Sequence, residues 1–119
     1  MAISDIEIQS QDGVTIALLG AEYDNLEPTA LDAASDHLLQ IAQSIDPPLL
    51  VIDMSRTNFF GSSFLGTLFR VWRRLATRGG KMSSCCAKDV VGEVLSVTQV
   101  EKLWSVHDDR SSAIAAVKS

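Results

Sequence analysis

The stretch Leu49-Leu50-Val51-Ile52-Asp53-Met54-Ser55-Arg56-Thr57-Asn58-Phe59-Phe60-Gly61-Ser62-Ser63-Phe64-Leu65-Gly66 decides how the rest of the chain reads. Leu49 to Met54 is apolar except at Asp53. A continuous apolar run suits a strand buried on both faces, as in a parallel sheet. From Leu65 the period changes. Leu65, Leu68, Phe69, Trp72, Leu75 and Ala76 recur at steps of three and four, which makes one apolar helical stripe. Gly79-Gly80 then stops the helix. Between strand and helix lies Phe59 to Gly66, at the carboxyl end of a strand, where function collects in parallel sheets.

Working outward, Ile6 and Ile8, then Val14, Ile16 and Leu18, read as two strands, with Asp12-Gly13 as the hairpin turn. Gly20 to Glu27 reads as a loop. Pro28 suits a first helical turn, and Leu31, Ala34, Leu38, Ile41, Ala42 and Ile45 follow helical spacing until Pro47-Pro48 ends it. On the other side, Lys81 to Cys86 predicts a short strand. Val90, Val91, Val94 and Leu95 predict a helix, and Leu103 to Val106 a small edge strand. Ala113, Ile114, Ala116 and Val117 predict a terminal helix capped by Asp108-Asp109. The order is β-β-α-β-α-β-α-β-α. It predicts one α/β domain over 1–119, a small mixed, largely parallel sheet flanked by helices.

Composition narrows the function. The 119 residues sum to a charge of -5, but unevenly. The first 55 residues hold ten acids and no Lys or Arg, whereas the rest hold ten bases and five acids. That distribution argues against a nucleic-acid partner. No apolar run approaches the ~20 residues of a membrane span, and no secretory signal precedes the first strand, so no membrane insertion and a cytoplasmic location are expected. The only cysteines, Cys85 and Cys86, are adjacent. They have no other thiol to bridge, suit a reducing compartment, and read as alternating in-out residues of a strand.

Catalytic and ligand-binding patterns fail by count. Gly61-Ser62-Ser63-Phe64-Leu65 lacks the second glycine of a nucleophile elbow, although His37 and His107 exist as bases. No second thiol pair and no H-x-x-x-H accompany Cys85-Cys86, so no metal is expected. The glycines match neither a Walker loop nor G-x-G-x-x-G, so no cofactor is expected and the chain reads as no enzyme. Two serines remain at a helix start. Capping would account for one of them. A phosphoryl group there would meet backbone N–H groups and the positive end of the helix dipole, which makes a switch the other reading.

The Leu50–Ser55 segment, followed after three residues by Phe59 to Gly66, resembles the signature of STAS domains, the anti-sigma factor antagonist family. There a central strand ends in Asp-Leu-Ser and a helix opens on Asp-Ser-Ser-Gly-Leu-Gly. Glu22 and Asp24 after Gly20 resemble the family's Gly-Glu-Leu-Asp loop with one extra residue. Gly79-Gly80-Lys81, Val94-Leu95 and Leu103-Trp104 match its later half, so the resemblance covers essentially the whole chain. It implies an antagonist that binds an anti-sigma factor with serine kinase activity. Phosphorylation ends that binding and a phosphatase restores it. Carried over by position, the phosphorylated residue is Ser62, with Ser63 beside it. Gly61 and Phe64 depart from the family's Asp and Gly. The alternative is a STAS adaptor in a sensory or transporter-associated complex without sigma control.

Ser63, Phe64, Glu22 and Asp24 are then the expected partner-binding residues, together with Arg70 and Arg74. Arg70, Arg74 and Arg78 fall four apart on the site helix and read as either a solvated face or a docking stripe for an acidic partner.

Overall fold

The computed structural model describes residues 6–20, 22–23 and 28–119. β1 (Glu7–Gln11) and β2 (Val14–Leu18) form the hairpin, and Asp12 and Gly13 both take positive φ, as its tight turn requires. Then come β3 (Glu22–Tyr23), α1 (Pro28–Ser44), β4 (Leu49–Asp53), β5 (Phe59–Phe60), α2 (Ser62–Thr77) and β6 (Lys81–Cys85). α3 (Asp89–Val97), a 3-10 turn (Val100–Lys102), β7 (Ser105–His107) and α4 (Arg110–Lys118) complete the chain. The main sheet has the order β1-β2-β4-β6-β7, and every pairing except β1 with β2 is parallel. The α/β class and the mixed, largely parallel sheet are therefore as the sequence predicts. β3 and β5 add a two-stranded parallel ribbon that the sequence did not reveal.

The unbroken apolar run in β4 exists because both faces of the strand are covered. Leu50 and Ile52 join a core with Ala34, Leu38 and Ala42 of α1, Leu68, Val71 and Leu75 of α2, and Val91 and Leu95 of α3. Val51 points the other way and packs with Val14, Ile16 and Cys85 against Ala113, Ile114 and Val117 of α4. Asp53 shares the parity of Val51, so it too belongs to the α4 face.

Three expectations change in detail. The buried side of α2 is Phe64, Leu65, Thr67, Leu68, Val71 and Leu75, while Phe69 and Trp72 are only partly buried and Ala76 is exposed. The stripe is turned toward Phe64 and Val71 because α2 packs on α1 as well as on the sheet, and Phe69 fills the margin against Trp104, ring centroids 5.7 Å apart. Cys86 leaves the strand at φ 66, so the cysteines do not simply alternate. The edge strand starts at Ser105 rather than Leu103, because the 3-10 turn takes up the preceding residues. Gly80 is fixed by sterics. A Cβ there would lie 2.1 Å from the carbonyl oxygen of Pro48, where the chain enters β4.

Candidate functional site at the start of the second helix

Asp53 shapes the turn that leads to the serines. Its Oδ1 accepts from the Ser55 amide at 2.8 Å, and the Thr57 amide donates to the Met54 carbonyl at 3.0 Å. The fully buried Thr57 donates its hydroxyl to the Gly20 carbonyl at 2.9 Å, which ties this turn to the end of β2. β5 then pairs with β3, Glu22 opposite Phe59. Glu22 and Tyr23 therefore run beside the strand that delivers Ser62, at the level of backbone. Asp24, and the side chain of Glu22, lie outside the described residues.

Gly61 is the N-cap, with φ -95 and ψ -179 and no side-chain cap hydrogen bond. The Leu65 amide closes the first turn on the Gly61 carbonyl at 3.1 Å. Ser62 and Ser63 are thus the first helical residues, and both are exposed. Neither takes the capping role that could have explained it. The first turn of any α-helix carries backbone N–H groups without intrahelical partners and the positive end of the dipole. Phe64 is a correction: instead of facing a partner it is fully buried, its ring centroid 5.9 Å from that of Phe60. The aromatic replaces the family's small residue by turning inward, which leaves the surface to the serines.

The arginine stripe is also more occupied than expected. Arg70 donates to Thr67 Oγ1 at 3.0 Å, and that oxygen lies 2.7 Å from Ser35 Oγ of α1. Arg74 donates to Gln43 Oε1 at 3.2 Å, and Arg78 to the Ala42 carbonyl at 2.9 Å. The stripe lies along the seam between α1 and α2 and is spent largely on holding it. Arg70, Arg74 and Arg78 all remain exposed.

The strongest electrostatic contact was missed in the sequence. Asp53, 2 % exposed, accepts from Arg110 Nη2 at 2.6 Å and Nε at 3.0 Å through Oδ2. Arg110 Nη1 continues to Gln9 Oε1 at 2.9 Å. Burial pushes the Asp53 carboxyl up, but the Ser55 amide and the Arg110 guanidinium outweigh it and hold the group below its ordinary value of 3.8. The partners are 57 positions apart, so no local pattern joins them. His37 is half-buried in α1 and His107 lies in β7. Among the described residues no hydrogen bond links either to Ser62 or Ser63. The cap expected at Asp108-Asp109 is Asp109, whose Oδ1 accepts from the Ser112 amide at 2.8 Å.

Comparison with known proteins agrees with this architecture. A family model described as the STAS domain matches residues 6–113. An anti-sigma F factor antagonist from Paenibacillus polymyxa is 23% identical over 113 residues, 95% of this chain and 94% of that one. The solved anti-sigma-factor antagonist (STAS) domain protein from Planctomyces limnophilus superposes with a TM-score of 0.80 at 28% identity, covering 98% of this chain and 99% of that chain. The Bacillus cell fate determinant SpoIIAA in its phosphorylated form shares the fold alone, with a TM-score of 0.65 at 16% identity over 92% of this chain and 96% of that chain.

Proposed function

The chain belongs to the STAS-domain family, and from that premise we propose that it is a non-catalytic anti-sigma factor antagonist that works by partner switching in the cytoplasm. In the unphosphorylated state its Ser62 surface binds an anti-sigma factor that is also a serine kinase. That kinase transfers the γ-phosphoryl group of ATP to Ser62 Oγ, ADP leaves, and the hydroxyl proton passes to a base of the kinase. The new charge, close to two negative units, ends the binding. A phosphatase restores it.

The observation that carries the reading is the exposed Ser62 at the first position of α2, behind a glycine N-cap that provides no side-chain acceptor. A phosphoryl group there is favoured by the helix dipole, so modification need not unfold the helix. Ser63, Arg70 and Arg74, with Glu22 and Asp24 from the neighbouring segment, complete the proposed docking surface. Phe64 contributes to it only from below.

The test is co-expression with a cognate kinase-type anti-sigma factor, followed by intact-mass measurement and pull-down. One phosphoryl group is expected on the wild type and none on Ser62→Ala, and Ser62→Asp should fail to retain the anti-sigma factor. Equal modification of Ser62→Ala would overturn the site. Recovery of transporter subunits with no kinase would overturn sigma control in favour of an adaptor.

A further inference from the structure

The carboxyl ends of β4 and β6 hold a second group of side chains, away from the serines. Asp53 and Cys85 are register partners on these strands, and Cys85 is fully buried on the α4 face. A strand continuing through Cys86 would turn that side chain to the opposite face. Cys86 instead takes φ 66, a left-handed conformation rare for a residue with a side chain. As a result both sulfurs and a carboxylate oxygen of Asp53 lie within 4.8 Å of one another. Cys86 is only half-buried and gives the group its opening to solvent.

Two chemistries are open to such a thiol pair. A disulfide fits poorly, because adjacent Cα atoms stand about 3.8 Å apart and a relaxed bridge spans at least about 4.4 Å. Chelation fits better. Tetrahedral thiolate ligands about 2.3 Å from one ion stand roughly 3.8 Å apart, inside the observed spread. Charge selects the ion. Asp53 and Arg110 already neutralise each other, so two thiolates in this corner are balanced by a divalent cation, whereas a monovalent one would leave a buried negative charge. Thiolate donors favour soft or borderline metals. We propose that Cys85 and Cys86 chelate a thiophilic divalent cation of the zinc class, with a carboxylate oxygen of Asp53 as third ligand. The fourth position opens to solvent past Cys86.

Each thiol releases its proton on binding, so two protons leave per ion and the complex is formally neutral. Because the ligands must be deprotonated to bind, affinity rises with pH.

Cadmium serves as the spectroscopic probe for the full-length chain. It should produce an ultraviolet thiolate-to-metal charge-transfer band that saturates at one equivalent, with two protons released, and zinc should displace it. Cys86→Gly removes one thiol and suits the positive φ, so this variant keeps its fold. It should lose the band and bind at least 100-fold more weakly. No band in the wild type, or a loss below tenfold in Cys86→Gly, overturns the proposal. Undiminished binding by that variant would put the ion on surface carboxylates.

Discussion

The end of β4 and the start of α2 are joined by a turn and the short strand β5, yet they dispose of their polar groups in opposite ways. At Asp53 the charge is turned inward. Arg110 and the Ser55 amide bind its oxygens, and Gln9 takes the remaining arm of the guanidinium. At Ser62 the polar groups face out, and the glycine N-cap supplies no internal acceptor. The contacts at the first corner fix α4 and β1 on the sheet. The second has no such internal partners. What holds the fold at a strand end is therefore the set of donors and acceptors that the protein itself satisfies, and what remains is offered to a ligand.

Four experiments press on that contrast, and the largest effect is expected beneath the open corner. Phe64→Ala removes a fully buried ring and should destabilise the fold by about 4 kcal/mol in urea unfolding. A loss under about 1 kcal/mol would mean the start of α2 is not anchored from below. Arg110→Ala strands a buried carboxylate and should cost about 3 kcal/mol by the same measurement. Equal stability to wild type would place Asp53 in the same open category as Ser62.

Acid gives the third experiment. Asp53 has its carboxyl held below the ordinary 3.8, so folding favours its ionised form. That contribution is complete above about pH 4 and is lost as pH falls through the lower, folded value. Thermal melts should show wild type losing stability below about pH 4, and Arg110→Ala losing less. The smallest effect belongs to Gly61→Asp. Its extended backbone suits an acidic N-cap, so this variant should gain a few tenths of a kcal/mol over glycine. A destabilised variant would show that the corner is closed in a way the N-cap geometry does not reveal.

Periodicity made most of the fold legible. β4 and α2 announce themselves because two covered faces require an unbroken apolar run and one covered face requires a stripe. The β3–β5 ribbon escaped because two-residue strands have no period to detect. Ser62 was legible as a position, since a serine pair between strand and helix is a local pattern. Its freedom from capping was not, because a serine and a glycine compete for the same N-cap and only the backbone decides. The Asp53–Arg110 pair and the approach of Asp53 to Cys85-Cys86 were invisible for another reason. The first depends on how α4 docks on the sheet and the second on the register of β4 against β6, and neither leaves a mark on neighbouring residues.

The seam between the first two helices has one more consequence. Among the described residues, three side-chain links fasten α2 along its length: Thr67 to Ser35, Arg74 to Gln43 and Arg78 to the Ala42 carbonyl. A rod held at several points resists tilt and sliding. If Ser62 is modified as proposed, the domain would then act as a label rather than a relay: chemical-shift changes on modification should fade within about a turn or two of the serine, and copies carried side by side in a larger assembly would each report their own state.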